Sequence, residues 1–328
     1  MRLTEQLEIL GLDETRRRAA SEASTGRERQ RNLHHVDLAH EMLGTMPAAA
    51  DLGFLHSGLC QTSLPHSKPL SNHAVWRRTS GRFTLSITPG SFSRLGAASS
   101  DDGWVGVPYG AKARLILFHL QTEGMKSRTV NLGPSLSAFL RSLNLPVSGG
   151  PRGSISAVRE QVLRIARCSF SLQWTDTDEA GATRTTVSDT RIVDGLDLWE
   201  AGQGDEWNGT VELSPRFYDH LREHAVPLDK RAIAHLSGNS LGLDLYALLA
   251  YRLPRLNSDM HLRWFALQTQ IGSEESAMKE LARRVRQVLP AVQLVYPHAR
   301  VEATSTGLTL RPSPAAVPKA SVRGFKLV

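Results

Sequence analysis

The chain has 328 residues, a length that supports more than one domain with its own buried core. Its 39 Lys and Arg exceed its 32 Asp and Glu, and the net charge of +7 favours polyanionic partners without identifying one. No apolar run reaches the roughly 18 residues of a membrane span and no signal-peptide pattern opens the chain, so we expect a cytoplasmic protein without a membrane partner.

The first elements along the chain are of mixed character. Residues 1–51 combine charges of both signs with scattered apolar residues, which fits short helices or partial disorder. The segment RFTLSITPG (82–90) predicts a strand with Leu85 and Ile87 on its buried side. In LPHSKP (64–69), His66 and Lys68 have two open interpretations: they contact phosphate, or they brace the N-terminal strands against the next domain.

The stretch from Pro108 to Leu198 has the clearest pattern. A helix (108–124), a short extended piece (129–133), a helix opened by Pro134 and Ser135, and a basic helix (154–167) follow one another. Two strand patterns, SFSLQW and TVSDTRIV, then flank the polar loop TDTDEAGATRT. This order is typical of a winged helix-turn-helix, in which one helix enters the major groove and a hairpin forms the wing.

The basic helix separates apolar from cationic residues at about 100° per residue. Its apolar side contains Ile155, Val158, Val162 and Ile165. The other side contains Arg152, Arg159, Arg164 and Arg167, opposed only by Glu160. We expect the first side to pack on the domain and the second to meet phosphates and base edges. The alternative for such a helix taken alone is an ordinary solvated basic face.

The same order of elements recurs near the C-terminus. A buried-looking helix (241–253) and a short helix (262–272) precede Ser273, which can cap a third helix over 274–289. Two strands are expected in VQLVYP and RVEATSTGLTLRP, connected at His298 and Ala299. The third helix again separates two faces. Its apolar side contains Met278, Leu281, Val285, Val288 and Leu289, and its cationic side contains Lys279, Arg283, Arg284 and Arg286. Two such helices favour DNA binding over a solvated surface.

Patterns that would indicate an enzyme do not hold up. GNSLG (238–242) matches the nucleophile-elbow pattern, but a helix-like segment precedes it, and Ser240 is expected to cap the next helix. His35 and His40 are five residues apart, which does not align two metal ligands on one turn. P-loop and dinucleotide patterns are absent, and Cys60 and Cys168 lack zinc spacing and are expected to be reduced thiols. We expect no catalytic site, metal or cofactor.

Several separated motifs, in order from about residue 52 to 313, resemble the plasmid-encoded RepA-type replication initiators. They are FLHSGLCQTSLPHSKP, Trp76 with Arg77, RFTLSITPG, GVPYGAKARLIL, LGPSLSAFLRSL followed by GG, VPLDKRAIAHL, LDLYALLAYRL, VQLVYPHARVE and GLTLRPS. The segment LDLWEAGQGDEWNGT departs from the tryptophan-rich patch expected near the domain junction.

The resemblance implies a protein that binds repeated sites, or iterons, at a plasmid origin and helps open the duplex. It also implies recruitment of the host initiator and the replicative helicase, and a monomer–dimer system in which the dimer represses its own gene and so contributes to copy control. The alternatives are a transcriptional repressor with no role in initiation and, least favoured, a DNA-nicking enzyme.

These observations predict an α+β protein with tandem winged helix-turn-helix domains. The predicted divisions are a charged extension (1–51), a first winged-helix domain with preceding strands (52–205), a second winged-helix domain (206–313) and a basic Pro-rich tail (314–328). The predicted DNA-binding residues are Arg152, Arg159, Arg164, Arg167, Lys279, Arg283, Arg284, Arg286, Arg184 in the first wing, and Lys68.

Overall fold

The structure is a computed structural model that describes residues 3–91, 103–150, 153–177, 183–197, 209–273 and 277–322. Its helices are α1 (Leu3–Ser21), α2 (Gly26–Gly44), α3 (Ser57–Gln61), α4 (Gly110–Gly124), α5 (Leu136–Ser142), α6 (Ser154–Arg167), α7 (Pro215–His224), α8 (Lys230–Leu236), α9 (Ser240–Arg252), α10 (Trp264–Ile271), α11 (Met278–Val295) and α12 (Lys319–Val322). Its strands are β1 (Leu52–His56), β2 (Trp76–Ser80), β3 (Phe83–Thr88), β4 (Thr129–Asn131), β5 (Ser169–Thr177), β6 (Thr183–Thr190), β7 (Val193–Asp197), β8 (Thr210–Leu213), β9 (Ala225–Asp229), β10 (Met260–Arg263), β11 (Val301–Ala303) and β12 (Gly307–Leu310). None of the helices described combines the length and the apolar character needed to cross a membrane.

The N-terminal segment forms two long helices that pack on each other, α1 and α2. Helix α1 bends at Gly11, whose φ of 75° lies in the left-handed region that glycine adopts without a steric cost. Helix α2 begins after Thr25, whose side chain accepts the Glu28 amide, and it packs against α11. Of the two possibilities that its composition left open, the described part of this segment adopts the helical one.

A first unit contains the helix, strand, helix and basic helix that the sequence predicts, in α4, β4, α5 and α6. Ser135 caps α5 by accepting the Ala138 amide, as the Pro134–Ser135 opening suggests. Strand β4 pairs with β8, and β8 pairs with β7, so the small sheet has the order β4-β8-β7. The unit therefore runs helix, strand, helix, helix, strand, strand, with an insertion between α6 and β7.

That insertion is the hairpin of β5 and β6, whose existence the sequence predicts and the structure confirms. Strand β5 pairs with β3, so the hairpin belongs to a separate sheet of order β2-β3-β5-β6 and not to the small sheet of the first unit. Phe83, Leu85 and Phe170 are buried on one face of this sheet, and that burial holds the hairpin in the larger sheet. The hairpin tip, residues 178–182, lies outside the described residues.

A second unit repeats the order of the first in α9, β10, α10, α11, β11 and β12. Its sheet has the order β10-β12-β11, so that in both units the last strand lies between the other two. Asn239, rather than Ser240, caps α9 by accepting the Gly242 amide. Ala277 occupies the N-cap position of α11 without a side-chain cap, so the prediction that Ser273 caps this helix is wrong.

The strands expected after α11 are also displaced. VQLVYP is not a strand: α11 continues through Pro290 to Val295 because Val292, Leu294 and Val295 bury one face on a helical period. Both strands instead lie within RVEATSTGLTLRP, as β11 and β12. Their connection is the turn at residues 304–306, and His298 and Ala299 precede the hairpin.

The two units are joined through shared elements. Strand β1 pairs with β9, which brings the chain before the first unit to the chain just before α8. Helix α4 contacts α9, and α10 packs on β2. The start of the tail packs on the second unit: Val317 is buried, and the Tyr296 hydroxyl donates to the Pro314 carbonyl at 2.5 Å. Residues 323–328 lie outside the described part.

Candidate nucleic-acid interface

Helix α11 separates an apolar from a cationic face as the sequence predicts, except that Met278, predicted on the apolar side, is exposed. Leu281, Val285 and Leu289 are buried, and Lys279, Arg283 and Arg286 are exposed. The apolar face packs on α9 and α10, which fixes the direction of the cationic face. The cationic face of this helix is therefore open to solvent and accessible to a duplex.

Arg283 is held in place by its own helix. Its Nε and Nη2 donate to the two Glu280 carboxylate oxygens at 2.8 and 2.5 Å, and its Nη1 donates to Gln287 at 3.3 Å. The hydrogen bonds from Arg283 hold the pKa of Glu280 below its usual range, so Glu280 is ionised. The cation at Arg283 is therefore oriented and partly neutralised before any ligand arrives.

Arg284 and Arg286 differ from the other two cations of α11. Arg284 is half-buried and lies close enough to His66 that its charge contributes to lowering the His66 pKa. Arg286 is exposed, but its Nη2 donates to the Thr304 carbonyl at 2.8 Å and its guanidinium lies 5.1 Å from the centre of the Trp264 ring. Arg284 thus faces toward the first unit, and Arg286 faces the β11–β12 turn.

Helix α6 is more enclosed than the sequence predicts. Arg164 is only 4 % exposed, so its expected outward placement is wrong. Its guanidinium donates to Glu160 at 2.9 Å and to the Val107 carbonyl at 3.1 Å, and it lies over the Tyr109 ring. Arg164 lies four residues after the Glu160 carboxylate and faces the Tyr109 ring, so its positive charge is stabilised by contacts within the protein. A direct role of Arg164 in DNA binding stays a prediction, but its position favours a structural one.

The remaining arginines of this group lie at the ends and side of α6. Arg167 is half-buried and donates to the Ser91 carbonyl at 2.8 Å. Arg159 is half-buried, and within the described part of the chain no hydrogen-bond or ion-pair partner is found for its guanidinium. Arg152 lies outside the described residues. No residue of α6 is fully exposed, so the cationic face of this helix is less open than that of α11.

The other two predicted contacts are exposed. Arg184 lies on β6, at the edge of the four-stranded sheet, and Lys68 lies in the loop before β2. The two residues singled out in LPHSKP separate: Lys68 is exposed, whereas the side chain of His66 is only 6 % exposed. His66 is therefore enclosed, with Asp244 on α9 of the second unit as its partner, and a phosphate contact remains a prediction for Lys68.

His66 belongs to a buried charged group that the sequence analysis did not identify. Arg114 on α4 binds Asp244 on α9 through two hydrogen bonds of 2.6 Å, and His66 Nε2 lies 3.0 Å from the same carboxylate. Arg114 also donates to the Leu64 and Pro65 carbonyls. The available signal was a charged residue within an otherwise apolar stretch of each helix, Arg114 in ARLILF and Asp244 in LGLDLYALL.

Burial alone would raise the pKa of Asp244, but the positive charge of Arg114 and the hydrogen bonds from His66 and Arg114 bring it below its usual range. Burial lowers the pKa of His66, so His66 is neutral and donates from Nε2. The group therefore contains one cation and one anion, with a neutral donor. It connects the first helix of each unit to the loop before β2.

Among the residues that the structure describes, no group of His, Cys, Asp and Glu could hold a metal ion. Both cysteines are free and buried, and burial raises the pKa of the Cys168 thiol to about 12. His34 and His35 contact the ring of His235, which places them at the α2–α8 junction.

Comparisons with known proteins identify the family. The model of the family described as "Plasmid encoded RepA protein" matches residues 107–269, from the segment before α4 to α10. The chain belongs to this family, the RepA-type replication initiators. No curated protein matches the sequence.

Two crystal structures of RctB domains are similar to the chain. The selenomethionine derivative of domains 2 and 3 has 11 % identity and a TM-score of 0.48, and the match covers 80 % of this chain and 98 % of that one. The structure of RctB domains 2–3, residues 155–483, has 13 % identity and a TM-score of 0.45, with coverage of 77 % and 94 %.

Proposed function

We propose that the chain initiates plasmid replication by binding duplex origin DNA sequence-specifically through two winged-helix units. The observation that carries the proposal is the repeated order helix, strand, helix, helix, strand, strand, with the last strand central in each small sheet. In a winged helix this order places the third helix for the major groove and the hairpin beside it. The family of the chain supports initiation as the purpose of that binding.

The repeated order identifies the third helix and the wing in each of the two units. In the first, α6 is the third helix and the hairpin of β7 and β8 corresponds to the wing, rather than the β5–β6 hairpin that the sequence suggested. In the second, α11 is the third helix and the turn at 304–306 is the wing. Because the cationic side chains of α11 are exposed and those of α6 are largely covered, the second unit supplies most of the affinity.

In the rest of the proposal, the bound chain strains an adjacent AT-rich segment of the origin and recruits host replication proteins. Bending or opening DNA costs several kcal/mol, on the order of 1–6 for smooth bending, and several bound copies can supply this together. No enzymatic step is proposed. We also expect that a dimer of the chain represses its own gene, as the resemblance implies.

The test is selection of bound duplexes from a randomised pool, followed by footprinting on the origin of the cognate plasmid. The expected result is one sequence motif that recurs as several protected sites in the origin. A chain that enriches no motif and protects no repeated site does not have the proposed function. A plasmid that persists after deletion of the gene would leave only the repressor alternative.

A further inference from the structure

The turn between β11 and β12 is closed by its own hydrogen bonds. The Thr304 amide donates to the Gly307 carbonyl at 2.8 Å, and the Thr304 hydroxyl accepts the Thr306 and Gly307 amides at 3.3 and 3.2 Å. The Thr306 hydroxyl lies 3.0 Å from His261 Nε2 on β10. These bonds define the shape of the turn but do not determine its position relative to α11.

Its position is set by three successive carbonyls that face inward. Thr304 O accepts Arg286 Nη2 at 2.8 Å, Ser305 O accepts the Trp264 indole N–H at 3.0 Å, and Thr306 O accepts the Trp264 backbone amide at 3.1 Å. Trp264, the first residue of α10, is 5 % exposed. Two residues, through two side chains and one backbone amide, thus attach every carbonyl of the turn to α10 and α11.

The two side chains also contact each other. The Arg286 guanidinium lies 5.1 Å from the centre of the Trp264 ring, within the range of a cation–π interaction. A guanidinium can contact an aromatic face and donate to a carbonyl at the same time, which an ammonium group does less well. Arg286 is therefore engaged on two sides in the DNA-free protein, unlike Lys279 on the same helix.

The inward carbonyls leave Ser305 facing outward. Ser305 is exposed, and among the described residues neither its amide nor its hydroxyl has a hydrogen-bond partner. An amide and a hydroxyl that point away from the protein are neutral donors of the kind that bind phosphate oxygens. They belong to the same three-residue turn as the carbonyls that Trp264 and Arg286 hold.

We propose that Arg286 is a positioning residue rather than a base-reading one. With Trp264 it holds the turn 304–306 beside α11 so that the Ser305 amide and hydroxyl meet a phosphodiester of the duplex. The inference rests on the proposed function for its DNA half, whereas its structural half concerns the free protein. It also distinguishes Arg286 from Arg283, which lies on the same helix but does not contact the turn.

The structural half is tested without DNA. Amide hydrogen exchange is measured by NMR at Thr304, Thr306 and Gly307 in the wild type and in Trp264→Phe, Arg286→Lys and Arg300→Lys. Trp264→Phe and Arg286→Lys are expected to speed exchange at these amides about tenfold, while exchange within α9 stays unchanged. Arg300→Lys, on an exposed arginine outside the turn, is the control. Unchanged exchange at the turn in both test variants overturns the positioning role.

The DNA half uses a duplex that the wild type has selected from a randomised pool. Arg286→Lys keeps the charge and is expected to weaken binding about tenfold with the same dependence of log K on log salt concentration. Trp264→Phe is expected to weaken binding similarly, and the double variant to be no weaker than the worse single one. If Arg286→Lys binds like the wild type and Arg286→Gln lowers the salt slope by about one, Arg286 contacts phosphate directly and the proposal is wrong.

Failure of the proposed function gives a different result. In that case the wild type binds no duplex at all, whereas the hydrogen-exchange measurement still decides whether Arg286 and Trp264 hold the turn. Ser305→Pro removes the outward amide. It is expected to weaken DNA binding while leaving Arg286 and Trp264 in place, and full binding by this variant would exclude the phosphate contact at Ser305.

Discussion

Under the proposed function, Glu280 determines which contacts with DNA are open to Arg283. It places a negative charge on the cationic face of α11 and holds the guanidinium in one orientation through two hydrogen bonds. An oriented arginine suits bidentate recognition of a guanine edge, and the carboxylate opposes contact with a phosphate. The pair thus favours selectivity over bulk attraction.

Glu280→Gln is expected to raise affinity for unselected duplexes by several fold and to reduce the ratio of selected to unselected binding. The substitution removes a charge that repels the phosphate backbone and loosens the orientation of Arg283. Fluorescence anisotropy on both duplexes measures the two affinities. Lower affinity for both duplexes would show that Glu280 supports binding instead.

The imidazole of His56 is expected to make the stability of the fold depend on pH. It is buried, its Nδ1 accepts the Gly58 amide and its Nε2 lies 2.7 Å from His220 Nδ1. Burial, with the nearby His220 and His224, lowers the pKa of His56 to about 3. The unfolded chain takes up a proton near the ordinary histidine pKa of about 6.5, whereas the folded chain does not until far lower pH.

The contribution of His56 to the free energy of unfolding is therefore expected to be complete above about pH 6.5. Below that pH, protonation of His56 in the unfolded chain is expected to lower the free energy of unfolding by about 1.4 kcal/mol per pH unit. Urea unfolding at several pH values measures the slope. His56→Asn removes the titrating group and is expected to give a shallower slope, although the protein is less stable at neutral pH. An equal slope in the two proteins would contradict the assignment.

At the level of elements, the two helices proposed to contact DNA are expected to contribute unequally to the binding free energy. Arg283→Ala is expected to cost about 1–3 kcal/mol of binding free energy, since Arg283 lies on the open face of α11. Arg159→Ala is expected to cost less than Arg283→Ala, because every residue of α6 is at least partly covered. Gel shifts with the selected duplex compare them. A larger loss for Arg159→Ala would place the main contact in the first unit.

The contact of β1 with α4 leaves no space for a side chain at Gly53. A Cβ there would lie 2.0 Å from Phe118 Cζ, closer than any real contact. Gly53→Ala is expected to destabilise the fold by about 1–3 kcal/mol or more through overpacking, as measured by urea unfolding. The matched control is Gly26→Ala, which meets nothing within 4 Å at the start of α2 and is expected to be neutral or slightly stabilising.

Local patterns in the sequence were sufficient for the helices of the two units. Helix α6 occupies the predicted residues 154–167, and Ser135 caps α5 as expected, because capping and apolar period act within a few residues. The positions and pairing of the strands were harder to predict. The β5–β6 hairpin joins β3, and VQLV stays helical, because each choice depends on partners distant in sequence.

The candidate site was predicted in part for the same reason. The period of α11 separates its faces correctly, but a helical wheel cannot show that Glu160 and Tyr109 enclose Arg164 or that Trp264 and Thr304 engage Arg286. Nor can it pair Arg114 with Asp244, which are 130 residues apart. Charges at the right angle are predictable, whereas their internal partners require the tertiary structure.

At the scale of the molecule, the Arg114–Asp244 pair fixes how the two units are arranged. Arg114→Met leaves the Asp244 carboxylate buried without its cation and is expected to cost about 3–5 kcal/mol in the free energy of unfolding. The double variant with Asp244→Leu is expected to recover much of this loss, since both charges are then absent. Denaturant unfolding measures both, and an additive loss in the double variant would contradict the pairing.

The pairing of β1 with β9 has a consequence for how the chain is made. More than half of the sequence separates the two strands, so β1 emerges from the ribosome long before β9 exists. Until then its edge must remain open, and the nascent chain is exposed to wrong partners during that interval. Contacts over such separations also slow folding. Demand for a holdase during synthesis would therefore concentrate on the stretch translated between Leu52 and Asp229.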